Sequence, residues 1–275
     1  MENICNIKNL TLSFGEKVIF ESVDFVINRG EKIGLLGLNG KGKSCLMNLL
    51  NEAIAPDDST PPCEFVKSNS YYQVLHIPQE LPLPSQSIYV SDYFFYFFSD
   101  YSVLKDSLDN ITEEIENTDP KNLQALIAKQ KELMEEFERQ EIWEHQKKFN
   151  SYLKFFKLEK NDIPVQQFSG GEKRKILLSL GLSSKKELIL WDEPTNHLDL
   201  ETITKLEQEL LNTQKAFVII SHDRYLLSKV TNKILQIGDE IIVTVQGPKN
   251  VIYKKRVNRD GVIFIDYVGM VTAKG

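Results

Sequence analysis

A chain of 275 residues has room for one large domain or two small ones, and 41% hydrophobic with 26% charged residues is the balance of a soluble globular protein with a sizeable core. Its net charge of −6 excludes a globally basic nucleic-acid-binding protein, so no DNA partner is predicted. The three cysteines, Cys5, Cys45 and Cys63, are an odd number without a close pair, which argues against a disulfide framework or a zinc site and for a reducing compartment. The N-terminal MENICNIKNL lacks the basic-then-apolar pattern of a signal peptide. The longest aromatic run, YFFYFF (93–98), is far shorter than the about 20 residues a spanning helix needs. A cytoplasmic protein without a transmembrane segment is therefore expected. The charge is uneven: residues 100–150 carry thirteen Asp or Glu against seven Lys or Arg, and the remainder balances.

In chain order, ICNIKNLTLSF and KVIFESVDFVI read as strands around a turn at Gly15–Glu16. KIGLLG (32–37) is a short apolar run of buried-strand type, followed by the helix SCLMNLLNEA. PDDSTPP (56–62) is a loop, and YYQVLHIPQ reads as a strand closed by Pro78. Leu104, Leu108, Ile111 and Ile115 then recur at helical spacing. Asp119-Pro120 supplies an N-cap and a first-turn proline for a second helix, on which Leu123, Leu126, Gln130, Leu133 and Phe137 form a narrow seam. The pair predicts an antiparallel helical hairpin, acidic on its exposed faces, at about 100–150. From 170 onward helices at 171–182, 200–212 and 223–230 alternate with the strands ELILW, AFVIIS and KILQI, which implies a largely parallel sheet. After Gly238 the chain turns all-β, with IIVTV, VIYKKRV and VIFIDYV separated by GPKN and NRDG turns.

The stretch GLNGKGKS (37–44) fits G-x-x-x-x-G-K-[ST] and stands between a predicted strand and a predicted helix, the context that motif requires. Gly37, Asn39, Gly40 and Gly42 would let backbone N–H groups close around phosphates, aided by the helix dipole. Lys43 would reach the β- and γ-phosphates of ATP, and Ser44 would hold Mg2+. In LILWDEP (188–194) a buried strand delivers Asp192 and Glu193 to its C-terminal end, where ligands bind in open α/β sheets. Asp192 suits Mg2+, and Glu193 suits the polarisation of an attacking water. Ser169, Gly170 and Gly171, in FSGGE, stand before a helix and read either as a plain cap or as a second phosphate-binding N-terminus.

The order GLNGKGKS, IPQE, FSGGE, LILWDEP, HLD and SHDR resembles the nucleotide-binding domain of ATP-binding cassette (ABC) proteins over residues 1 to about 237. The resemblance implies an α/β fold: a P-loop cassette with an N-terminal antiparallel β subdomain, a helical subdomain carrying the inserted hairpin arm, and a β-rich tail at 238–275. It further implies that Phe14 stacks on the adenine, that Gln79 contacts Mg2+ and the attacking water, that His222 senses the γ-phosphate, and that Asp199 lies at a dimer interface.

DEPTNHLD with SHDRY looks like the ABC-F proteins, and the acidic hairpin before the signature looks like the arm of a first cassette of the Uup kind, which touches the ribosome or its RNA. Such cassettes work in pairs, each ATP lying between one phosphate loop and the other cassette's Ser-Gly-Gly. This chain has one of each, so a second cassette is needed: a copy of this chain, another protein, or the part missing from a truncated product.

Residues 243–256 are weakly similar to the segment that closes a first ABC-F cassette, and IGDEIIVTV with VNRDGVIFIDYVG is similar to the opening of polysaccharide-export proteins; a partial linker, a fused fragment and a plain β-extension all stay open. The leading expectation is an ABC-F-type ATPase linked to the ribosome. The alternatives are the ATPase subunit of a membrane transporter, with YFFYFF either as its docking surface or as a buried helix, and a fragment that binds ATP without turnover.

Overall fold

The computed structural model describes residues 2–38, 40–68, 72–117, 123–159, 162–237, 241–246, 251–257 and 263–270, the last three segments as backbone strands. Asn39, the helix start expected at Asp119-Pro120, and the GPKN and NRDG turns lie outside the described residues. The chain divides into two compact units, 1–79 with 186–275 and 80–185.

In the first unit, β1 (Asn3–Phe14) and β2 (Lys17–Asn28) pair antiparallel around Gly15–Glu16, as the sequence predicts. Next, β3 (Lys32–Gly37) enters a second sheet and leads to α1 (Lys43–Leu50). The short strand β4 (Glu64–Lys67), which sequence patterning misses, pairs with the free edge of β1. The second sheet takes in β5 (Val74–Ile77), β6 (Leu188–Asp192), β7 (Ala216–Ile220) and β8 (Lys233–Ile237), with α7 (Leu200–Asn212) and α8 (Arg224–Val230) in the connections. The order β8-β3-β7-β6-β5 is parallel throughout. The strands β9 (Ile241–Gln246), β10 (Val251–Val257) and β11 (Ile263–Met270) continue it antiparallel beyond β8.

The central strands are uniform apolar runs because both faces are covered: every residue of β7 is buried. One face meets α1 and the β1–β2 hairpin in a single core that joins Leu46 and Leu50 to Ile33, Leu35, Leu190 and Val218 and to Ile7, Leu10 and Phe20. Each such fully buried aliphatic or aromatic side chain is worth about 1.5–3 kcal/mol. Parallel strands with this core beneath them bring the ends of β3, β6 and β7 to one edge.

The second unit is helical. Its first helix, α2 (Val90–Phe97), buries Tyr93, Phe94 and Phe95. The Phe94 ring meets those of Phe98, Tyr101, His145 and Phe149, with centroids 4.9 to 5.9 Å apart. Tyr93, Phe94 and Phe95 of the aromatic run are therefore packed inside, because their large rings pack on one another, while Tyr96 stays exposed. The helices α3 (Ser99–Glu116) and α4 (Leu123–Arg139) form the expected hairpin. The Gln130 amide donates to the Thr112 hydroxyl at 3.0 Å across it, and Leu108, Ile111 and Phe137 are its buried seam.

The hairpin ends at Arg139, short of the expected limit near 150. Residue Glu141 takes a left-handed φ of 52, and α5 (Ile142–Phe155) begins a new direction. The Lys185 ammonium holds that turn, donating to the carbonyls of Gln140 at 3.1 Å and Glu141 at 3.0 Å and pairing with the Glu141 carboxylate at 2.7 Å. A short 3-10 turn, Val165–Gln167, precedes α6 (Gly170–Ser183).

Candidate nucleotide and catalytic site

The loop from β3 to α1 owes its shape to two glycines. Gly42 is the N-cap of α1 at φ 106, and a Cβ there would stand 2.3 Å from Ile19 Cγ2. A Cβ on Gly37 would stand 2.5 Å from the carbonyl oxygen of Ile237. Only glycine fits either place, and no side chain caps the N-terminus of α1. The Lys43 ammonium folds over the loop, donating to the carbonyls of Gly37 at 2.7 Å and Leu38 at 3.2 Å. A cation, a helix N-terminus and exposed backbone thus converge, which suits a polyphosphate. Ser44 is exposed in the first turn of α1.

Strand register places the carboxylates. Asp192 ends β6 beside Ile220 of β7, which in turn pairs with Leu35 of β3. Since paired residues of a parallel sheet share a face, Asp192 stands on the face covered by α1. The next residue turns over: Glu193 has φ 46 and donates its N–H to the Ile220 carbonyl at 3.0 Å. Its carboxylate is 7% exposed. One oxygen accepts the His222 N–H at 3.2 Å, and the other lies 3.3 Å from His222 Nε2. Ser221, buried beneath this corner, accepts the Asp223 N–H at 3.1 Å, and Asp223 caps α8. The result is a carboxylate with a fixed direction and a histidine side chain 70% exposed above it.

The other expected residues are placed as follows. Phe14 ends β1 at the hairpin turn, 52% exposed, free to offer a ring face. Gln79 is exposed, two residues after β5. Asp199 is the N-cap of α7, accepting from the Thr202 N–H at 2.8 Å and from its hydroxyl at 3.0 Å. Ser169 is the N-cap of α6, in the second unit, where Ser169 and Glu172 form a reciprocal capping box and Gly170 and Gly171 open the helix.

Sequence reasoning missed Ser228 and Gln236, which border a cleft of about 800 Å3 with Gly37, Lys43, His222 and Arg224 of the SHDR stretch. No spacing signal marks them, because they come from α8 and β8 and meet only in the folded sheet.

A bound Mg2+ would find oxygen donors of the right kind in the hydroxyl of Ser44, the carboxylate of Asp192 and the amide of Gln79. Among the described residues no cluster of three or more His, Cys, Asp or Glu could hold a metal.

The family model described as ABC transporter matches residues 20–196. A Bacillus subtilis protein, uncharacterized ABC transporter ATP-binding protein YfmR, is 32% identical over 265 residues, 94% of this chain and 40% of its own length. The energy-dependent translational throttle protein EttA of Mycobacterium tuberculosis is 29% identical over 258 residues, 94% of this chain and 45% of its own. The chain thus spans less than half the length of these curated relatives. Matches this long run into residues 238–275, and neither relative supports a polysaccharide-export origin for that tail. A solved structure described as the ATP binding subunit of an ABC transporter shares the fold, with a TM-score of 0.60 at 19% identity, covering 85% of both chains.

Proposed function

The chain belongs to the ABC family of ATP-hydrolysing cassettes, and from that premise we propose that it is an ABC-F-type cassette whose site is completed by a second one. The observation that carries the catalytic part is the paired contact of Glu193 with His222, one strand away from the Lys43 loop.

Each residue then has a task. Phe14 stacks on the base. Backbone N–H groups from Gly37 to Gly42, with Lys43, bind the phosphates of ATP. Ser44, Asp192 and Gln79 hold Mg2+, which when bound neutralises phosphate charge. Glu193, buried and directed, accepts a proton from water as the water oxygen bonds to the γ-phosphorus and the bond to the bridging β–γ oxygen breaks, so that ADP leaves. His222 holds Glu193 and offers its exposed ring to the γ-phosphate. The Ser169–Gly171 N-terminus serves the ATP of the partner cassette, and Asp199 anchors the adjoining interface. The partner is a copy of this chain or a cassette of another polypeptide.

The likeness to EttA, whose description is that of a translational throttle, supports a translation-linked role. The α3–α4 hairpin would make that contact. Its acidity favours a ribosomal protein over RNA phosphates, which need cations. A transporter subunit is the second reading, supported by the fold it shares with such subunits, with the exposed Tyr96 of YFFYFF left for docking.

The test is magnesium-dependent ATP hydrolysis by the purified chain over a range of protein concentrations. Release of phosphate that rises more steeply than protein concentration supports a paired site. ATP binding without hydrolysis at any concentration returns the chain to a binding fragment.

A further inference from the structure

One row of the central sheet contains a member that its neighbours do not explain. Across the face covered by α1, register aligns Ile33 with Val218, Val218 with Leu190, and Leu190 with His76 of β5. Three of the four are buried aliphatic side chains of the core. His76 is the fourth. The row above runs Leu35, Ile220, Asp192. His76 therefore stands diagonally below Asp192 on the neighbouring strand and on the same face, within reach of a long side chain. Three residues later the same strand delivers Gln79.

The imidazole Nε2 is out of contact with solvent and meets no hydrogen-bond partner among the described residues. Buried polar atoms are nearly always satisfied, by protein or by a bound water, so this one needs an explanation. Burial holds the ring below its ordinary range, with the Asp192 charge pulling the other way. A neutral ring differs from a lysine here: it can donate to a carboxylate without cancelling its charge, so the carboxylate stays available to a cation.

We propose that His76 is a positioning residue for Asp192, its imidazole N–H orienting the carboxylate toward Mg2+ directly or through one water. The inference rests on the proposed function, since it concerns the metal of that site. Partners that orient a metal's carboxylate typically affect metal affinity by about 10–100-fold when removed.

The test compares affinity for adenylyl imidodiphosphate in Mg2+ with affinity in EDTA, for the full chain and for His76→Phe, His76→Leu and His76→Asn. The ratio isolates the metal's contribution, which a merely structural role would leave alone. The two apolar variants are expected to lose about 10-fold of the ratio with the EDTA affinity unchanged. His76→Asn, which keeps an N–H, should recover most of it. Two loss variants of different shape guard against one failing to fold. An unchanged ratio, an equal loss in EDTA, or an asparagine as poor as leucine overturns the proposal. A wild-type chain that binds without regard to Mg2+ overturns it too. A wild-type chain that does not bind the analogue at all overturns the nucleotide site itself, which separates the two failures.

Discussion

The His222 backbone N–H donates to one oxygen of Glu193 at 3.2 Å, and its ring Nε2 stands 3.3 Å from the other. A carboxylate that is 7% exposed and anchored through one oxygen by that N–H has one direction, and in this fold that direction is set from the next strand, β7. The pair should act as a unit.

Glu193→Gln is thus expected to lower turnover by about 10²–10⁴-fold, the usual worth of a positioned base, while ATP binding persists. His222→Ala should cost less, and adding it to Glu193→Gln should cost little more, because residues that act together are not additive. Phosphate release from the three variants checks this; fully multiplicative losses would show that the residues work independently.

Gly42→Ala should damage the phosphate loop. A non-glycine residue at φ 106 bears the left-handed cost of about 1–2 kcal/mol, and a new carbon 2.3 Å from Ile19 adds overpacking of about 1–3 kcal/mol. The thermal midpoint should fall by several degrees and nucleotide affinity with it. Calorimetry of the variant against wild type reads both.

The cysteines should differ in reactivity. Cys5 is buried, and burial pushes its thiol up to about 12. Since the reactive species is the thiolate, alkylation of Cys5 should be negligible at pH 7 and still negligible at pH 9, where an exposed thiol would react readily. It becomes reactive on unfolding. Mass spectrometry after iodoacetamide, in native buffer and in denaturant, measures this.

Much of this was legible in the sequence, for physical reasons that also mark what was not. KIGLLG, LILWD and AFVII are apolar runs of strand length, and their parallel pairing follows from the helices between them. The loop glycines, the paired carboxylates and the Ser169 cap are local features and could be read locally. The break at Glu141 could not: no glycine or proline marks it, and the Lys185 that holds it lies far along the chain. The same is true of the Glu193–His222 contact and of His76 beside Asp192, which exist only once β5, β6 and β7 are side by side. The short strand β4 carries only EFVK, too few residues to show a period. The aromatic run was ambiguous until the rings of α2 were seen packed against His145 and Phe149.

A paired site makes a prediction about mass. With hydrolysis slowed, Glu193→Gln should accumulate the closed state in Mg-ATP. Light scattering should then show a doubled molar mass if the second cassette is another copy. An unchanged mass with ATP bound assigns the partner to a different polypeptide.

The most direct test of the central claim is calorimetric titration of Mg-ATP into wild type and Lys43→Ala. Loss of a charge-assisted contact worth about 1.5–3 kcal/mol should weaken binding by about 10–100-fold. Saturable binding in the wild type and that loss in the variant are the results expected. No binding by the wild type, or equal binding by the variant, would contradict a nucleotide site built on the β3–α1 loop.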